Sequence, residues 1–320
     1  MLENLRRLRR IVKDYDRLTA ELERTTGERD KFKAIIEGAD AMQFVPAGHF
    51  YSPIPSVDDV RLDLERQNQV KLPAQVPAVI IDDAAQLELL EQLKQYYPLL
   101  PFRSQPTEGL LYFFDNPHYS YSDAIILFCL LNWIKPSRVI EIGSGHSTCA
   151  MVDTNRLLLD SRTKITCIEP YPGLLRSLLQ NLNESVAIIG RKVQDVDLSF
   201  FDELEAGDIL FVDSTHVSKI GSDVNRIFFE ILPHLHSGVL VHIHDVFYPF
   251  EYPKEWVMEG RAWSEAYVVR AFLALNTSFE ITLFNHWIAY FHRDVIEREL
   301  PAMLTNTGGA LWLRRVRPPG

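Results

Sequence analysis

Several short segments of the chain collect residues able to do chemistry, and each sits where an apolar run of strand length ends. Ile209-Leu210-Phe211-Val212 leads into Asp213-Ser214-Thr215-His216, and Val239-Leu240-Val241 leads into His242-Ile243-His244-Asp245-Val246-Phe247. Polar groups at the end of a buried strand are costly unless they are paired or functional, so these ends are candidates for a reaction site. Histidine titrates near neutrality and suits a general base. His244 is the favoured base, with His216 as the second candidate and Asp213 beside them. The same strand ends offer a second chemistry, in which Asp213, His244 and Asp245 hold a divalent ion that lowers the pKa of a substrate hydroxyl. Magnesium prefers oxygen ligands, and a histidine at 244 departs from that preference. In a third reading the histidines only hydrogen-bond neighbouring loops.

A separate segment, Val139-Ile140-Glu141-Ile142-Gly143-Ser144-Gly145-His146-Ser147-Thr148, joins an acidic residue to a glycine-rich turn. Gly143 and Gly145 remove side chains where backbone must turn tightly and approach a ligand. Ser147 or Thr148 can cap the helix that follows. A dinucleotide fingerprint wants a third glycine where this chain has Thr148, and a pyrophosphate site at the helix start. S-adenosylmethionine has no phosphate; its cationic sulfonium and amino-acid tail make an acidic residue in the turn useful, and Glu141 is that residue, directly or through water. Ser144 and Ser147 lie in the same turn. Glu169 ends the next apolar run, Ile165 to Glu169, where a carboxylate accepts ribose hydroxyls. Gln194-Asp195 follows the third run, and Asp195 is the candidate neighbour of the adenine ring.

These segments need a scaffold, and the pattern from about residue 119 onward supplies one. A helix over Ser122 to Trp133 ends at Lys135-Pro136. Apolar runs then alternate with helix-length stretches: Arg138 to Ile142, Ile165 to Glu169, Val186 to Ile189, Asp208 to Val212, Gly238 to Ile243, Phe279 to Phe284 and Ala310 to Leu313. Such alternation indicates an α/β fold with a largely parallel sheet covered on both faces, and ligands of such sheets bind at the carboxyl ends of the strands. The loop Phe247-Tyr248-Pro249-Phe250-Glu251-Tyr252-Pro253 and the helix start Arg261-Ala262-Trp263-Ser264-Glu265 are candidate walls, as are Asn116, His118, Tyr119, Tyr121 and Asp123.

The preceding sequence reads as two further parts. Residues 1–37 form a coiled-coil helix, with Leu8, Ile11, Tyr15, Leu18, Leu22, Phe32 and Ile36 at a/d spacing and Thr25 and Arg29 weakening the middle. Its narrow seam pairs with a second copy or packs on its own domain; homo-oligomerisation through residues 2–37 is the expectation. Residues 38–115 are irregular and proline-rich, with a helical pattern over 83–96, and read as a lid or substrate-side segment. The proline-stiffened Gly48-His49-Phe50-Tyr51-Ser52-Pro53-Ile54-Pro55-Ser56 is either a pocket wall or a surface strap. Residues 116–320 are the α/β domain.

Composition narrows the partners. A formal net charge of −10 disfavours nucleic acid, whose binding releases counterions only to a cationic surface, and also an anionic membrane. Cys129, Cys149 and Cys167 are widely spaced in apolar stretches, unlike metal pairs or a disulfide framework, and read as reduced thiols of a cytoplasmic protein. The charged start lacks the apolar run of a signal peptide, and no apolar run approaches the ~20 residues of a membrane span.

The segments Glu141-Ile142-Gly143-Ser144-Gly145-His146-Ser147, Asp213-Ser214-Thr215-His216 and His242-Ile243-His244-Asp245-Val246-Phe247-Tyr248-Pro249 resemble the bacterial family often called methyltransferase domain 24, over about Asn116 to Leu313. The Gly48 to Pro55 segment also resembles a region that precedes this domain in some relatives. The resemblance implies a Rossmann-like, seven-stranded, mostly parallel sheet with a reversed last hairpin, and S-adenosylmethionine as cofactor. It points to O-methylation of a small-molecule or glycan acceptor, since relatives act on sugars, glycan-linked groups and secondary metabolites. Two other classes stay open, a nicotinamide-dependent oxidoreductase and a non-catalytic assembly protein that binds cofactor and recruits partners through the coiled coil. Self-association through residues 2–37 predicts that deleting residues 1–37 halves the mass measured by light scattering; an unchanged mass would rule it out.

Overall fold

The computed structural model describes residues 44–317 together with Leu18 and Thr25. All but those two residues of the expected coiled-coil helix therefore lie outside the described residues. The chain divides into two compact units, Met1–Val57 and Asp58–Gly320, whereas the sequence pattern suggested a boundary at 115/116. In the first unit, Gly48 to Ile54 closes on itself: the Gly48 N–H donates to the Ile54 carbonyl at 3.0 Å, and the His49 and Phe50 rings stack at 4.3 Å. Phe44, Phe50 and Tyr51 are exposed there.

The second unit is built on a seven-stranded sheet. In chain order its strands are β1 (Arg138–Ile142), β2 (Lys164–Ile168), β3 (Ala187–Ile189), β4 (Ile209–Val212), β5 (Leu240–Ile243), β6 (Phe279–Phe284) and β7 (Leu311–Arg315). Their spatial order is β3-β2-β1-β4-β5-β7-β6. The first five are parallel, and β7 runs antiparallel between β5 and β6. This is the mostly parallel α/β sheet with helices that the alternating pattern predicted, in the Rossmann-like seven-stranded form that the family resemblance implied. The order reverses between β1 and β4, and a crevice opens at their carboxyl ends.

The helices follow from the same pattern. After α1 (Val57–Asn68) and α2 (Asp83–Leu93), α3 (Tyr121–Ile134) is buried continuously from Ser122 to Asn132. It ends where Lys135 turns left-handed, φ 52°, ahead of Pro136. Next come α4 (His146–Leu158), α5 (Gly173–Leu179), α6 (Asp223–Arg226, continued by a π-turn over Ile227–Ile231) and α7 (Glu265–Leu273). Part of the segment read as irregular belongs to the body of this unit. Val76, Ile81, Leu90, Leu93, Phe102 and Tyr112 are buried in the same core as the sheet. The Trp287 indole N–H donates to the Ala74 carbonyl at 3.2 Å, and Gln86 Oε1 accepts from the Phe284 N–H at 2.8 Å. Among the described residues, no helix is long and apolar enough to cross a membrane.

Two buried aspartates fix strand ends. Asp208 accepts the Arg138 N–H at 2.8 Å and so ties the start of β1 to the start of β4. Asp123, on α3, accepts the Gly309 and Ala310 N–H groups at 3.2 and 3.0 Å and the Asn285 amide at 3.1 Å. Burial pushes its carboxyl up to about 6. This clamp sets where β7 begins, and an added Cβ at Gly308 would come 2.1 Å from Asp123 Oδ1.

The turn after β1 is equally constrained. Gly143 has φ +87°, and an added Cβ would meet the Asp213 carbonyl oxygen at 2.0 Å. Gly143→Ala is expected to destabilise the protein by about 1–3 kcal/mol of overpacking, with a further ~1 kcal/mol or more from the left-handed backbone. An unchanged midpoint in thermal or urea unfolding would contradict this close approach.

Candidate active site

The turn between β1 and α4 is organised from beneath by Glu141. This side chain is fully buried and both of its oxygens are occupied: Ser147 Oγ donates to one at 2.6 Å, Thr148 Oγ1 to the other at 2.5 Å, and Cys167 Sγ lies 3.3 Å from that second oxygen. Burial pushes the Glu141 carboxyl up while these donors pull it down, leaving it at about 7. The sequence suggested that Glu141 and Ser147 face the cofactor. The structure instead turns both into the core, where the hydroxyls that open α4, together with the Cys167 thiol, satisfy the carboxylate at this strand position. Gly145, not Ser147 or Thr148, is the N-cap of α4, and its N–H donates to Thr148 Oγ1 at 3.1 Å.

Above this strut lies the open side of the turn. A Cβ added to Gly145 would meet nothing within 4 Å, so the backbone there has open space beside it. Ser144 Oγ donates to Glu169 Oε2 at 3.2 Å, and the Tyr171 N–H donates to Oε1 at 2.8 Å. Glu169 is thereby held at the end of β2, half-buried. Together with Gly143, Ile168, Gln194 and Asp213 it lines a cleft of about 420 Å³. Asp195 does not line this cleft; it is exposed on the short 3-10 turn Val193–Asp195, whose geometry brings the neighbouring Gln194 inward.

A second cavity, of about 810 Å³, opens beyond the ends of β4 and β5. Its lining includes His216, His244, Asp245, Asp123 and Trp263, and it shares Asp213, Ser214 and Thr215 with the first cleft. The structure thus brings the candidate catalytic residues Asp213, His216 and His244 to one cavity. His216 Nδ1 lies 2.7 Å from Glu265 Oε2, and its Nε2 lies 3.6 Å from Asp213 Oδ1 and 3.4 Å from Asp245 Oδ2. Burial works to lower the His216 pKa, but the Asp213 and Glu265 carboxylates prevail and raise it to about 10. Burial alone would raise Asp213; the facing His244 and His216 rings hold it down at about 2. His244 Nε2 stands 3.4 Å from both the His118 carbonyl and Asp245 Oδ1. Its pKa is raised as well, burial being outweighed by Asp245, Asp213 and Asp123. His242 behaves differently: stacked on Phe211 at 4.0 Å, with no hydrogen-bond partner on either ring nitrogen, it is pushed well down by burial.

The divalent-metal reading of Asp213, His244 and Asp245 does not fit this geometry. Among the described residues, no group of three or more His, Cys, Asp or Glu is disposed to hold a metal. Between the Asp213 and Asp245 carboxylates stands the His216 ring.

Glu265 was legible in the sequence only as one residue of a wall, since 49 residues separate it from His216 and no local pattern links them. Buried to 1 %, it also accepts the Ser214 hydroxyl at 2.8 Å. The remaining wall is aromatic. Trp263 lies 4.4 Å from the His216 ring and 5.4 Å from Trp256. The Arg261 guanidinium sits 4.5 Å from the Trp256 ring centre and 5.1 Å from that of Trp263, within cation–π range.

Residues 140–246 match the family model described as a methyltransferase domain. An uncharacterised protein of Archaeoglobus fulgidus is 36% identical over 164 residues, which is 50% of this chain and 73% of that protein. Similar solved structures include the methyltransferase PaMTH1 of Podospora anserina bound to SAH, at 16% identity and a TM-score of 0.40, covering 83% of this chain and 99% of that one. The O-methyltransferase TomG of Streptomyces achromogenes, in complex with SAM, has the same identity and TM-score, with 80% and 96% covered.

Because the folded pKa of Glu141, about 7, exceeds its ordinary value of 4.5, the folded chain binds more protons there than the unfolded chain between those values. Its contribution to stability is therefore full below about pH 4.5 and declines as pH rises through 7. Glu141→Gln, which keeps the shape and removes the charge, is expected to flatten the decline of melting temperature across that window. An identical slope in both proteins would contradict the raised pKa.

Proposed function

Since the chain belongs to the class I S-adenosylmethionine-dependent methyltransferases, we propose that it methylates a hydroxyl of a small sugar-like, glycan-linked or secondary-metabolite acceptor held in the larger cavity. The observation that carries this reading is that the two cavities meet at Asp213, Ser214 and Thr215. A donor bound on one side and an acceptor on the other then face each other at the end of β4. When bound, S-adenosylmethionine supplies a methyl group on a sulfonium, and the S–CH3 bond breaks as the O–CH3 bond forms.

The chain's own residues orient and deprotonate. The bare backbone at Gly145 and the remaining lone pairs of Glu169 suit an adenosyl group with its ribose diol. Gln194, rather than Asp195, is the residue available to the adenine ring. Asp213, ionised at neutral pH, gives the developing reaction centre a fixed negative charge close to a sulfonium. His244 takes the acceptor proton, its basicity raised by the carboxylates around it. Trp256 and Trp263 offer flat apolar faces of the kind that stack on sugar rings or aromatic metabolites, and the net charge of −10 disfavours nucleic acid.

Calorimetric titration of the full chain with S-adenosylhomocysteine and, separately, NAD tests the reading. Saturable binding of S-adenosylhomocysteine alone is expected. Gly145→Ala should weaken it about tenfold or more, ~1.4 kcal/mol, without moving the melting temperature, since the added methyl fills only open space. Binding of NAD in its place would transfer the site to the oxidoreductase reading.

A further inference from the structure

Both nitrogens of the His216 ring face carboxylate oxygens. Nδ1 is 2.7 Å from Glu265 Oε2, and Nε2 is 3.4 Å from Asp245 Oδ2 and 3.6 Å from Asp213 Oδ1. An ionised carboxylate only accepts hydrogen bonds, and a neutral imidazole carries a single N–H. With acceptors on both sides of the ring, either neutral tautomer would press a nitrogen lone pair against negative oxygen. Hydrogen on both nitrogens removes that repulsion and makes the ring a cation.

The surroundings hold the ring in this place. His216 has φ +60°, and its carbonyl accepts the Ser264 and Glu265 N–H groups at 2.9 and 3.1 Å. The loop after β4 and the start of α7 are thus joined through backbone as well as side chain. Trp263 covers the ring at 4.4 Å. A divalent cation shared by Asp213 and Asp245 would sit about 2.0–2.6 Å from their oxygens, in the space the Nε2–H group fills.

We propose that His216 is the resident cation of the acceptor cavity: an imidazolium anchored by Glu265 that stands between Asp213 and Asp245 where a divalent metal would otherwise lie. Glu265 is then a positioning residue, since it acts through His216. The inference rests on reading this cavity as the acceptor site, but its test does not depend on turnover.

The experiment uses the full chain with 15N-labelled histidine, the His216 signals being assigned by their loss in His216→Gln. At pH 7 the His216 ring is expected to show two protonated nitrogens, and millimolar Mn²⁺ is expected to leave the His216 and His244 signals sharp. A single-proton tautomer, or Mn²⁺ broadening of these signals in the wild-type protein, would overturn the proposal. In His216→Ala the carboxylate pair is opened, so Mn²⁺ should now broaden His244. If Mn²⁺ spares His244 both there and in His216→Gln, which keeps the volume without the charge, the ring is not what occupies the cation position. Titration with S-adenosylhomocysteine checks that each variant is folded. Failure of the wild-type chain to bind it would refute the methyltransferase reading of the site while leaving the ring protonation as measured.

Discussion

The geometry of the whole cleft hangs on one buried carboxylate. Glu141 sits on the central strand β1, flanked in register by Cys167 of β2 and Phe211 of β4, where no solvent reaches it. A charge there is costly unless it is hydrogen-bonded, and its donors come from the first turn of α4, Ser147 and Thr148. Satisfying the carboxylate therefore draws the helix start down onto the strand end. The connecting residues must then pass over β4 so closely that position 143 accepts no side chain. The bare backbone offered to a ligand at Gly145 is a by-product of that constraint. Glu141 shapes the turn from within the core.

At the neighbouring strand ends the physics is that of mutual neutralisation. Asp213, Asp245 and Glu265 are brought close by three different elements, and alone they would repel. The His216 ring, inserted among them, turns the repulsion into a network that fixes the β4 loop against α7. His244 is left with one ring nitrogen near Asp245 and the other buried without a partner. His242, two residues earlier on the same strand face, sees Phe211 and Trp312 instead. Two histidines of identical type and alternation thus differ in role because one lies at the strand end and the other inside the sheet.

The strands were legible from the sequence nearly residue by residue: parallel strands buried on both faces read as continuous apolar runs, as at Arg138–Ile142, and the antiparallel edge strand Phe279–Phe284 stands as expected on its alternation of buried and exposed residues. Glu169, Asp213, His216 and His244 were legible for a related reason: a polar residue directly after such a run is at the carboxyl edge whatever the rest of the fold does. Side-chain direction was not legible at Glu141 and Ser147, because a turn reverses the face that simple alternation assigns. Asp195 was displaced from the cleft by the tight 3-10 turn that puts Gln194 inside. Glu265 and Asp123 were legible as wall residues, but their partners were not, because those partners are distant in sequence and charge complementarity across such separations leaves no local signature. Nor did the prolines of residues 73–106 disclose that the apolar residues between them complete the main core.

The placement of β7 has a consequence for the making of the protein. Strand β7 lies between β5 and β6, yet it is the last of the seven to be synthesised. Until it emerges from the ribosome, β5 presents an unpaired edge and β6 has no neighbour on its inner side. Such edges are templates for pairing with other chains. The Asp123 clamp on Gly309 and Ala310 lies at the amino end of β7, so the first residues of the strand to appear are those that α3 captures. Docking from that end lets the strand pair progressively with β5 and β6 and close both exposed edges at once.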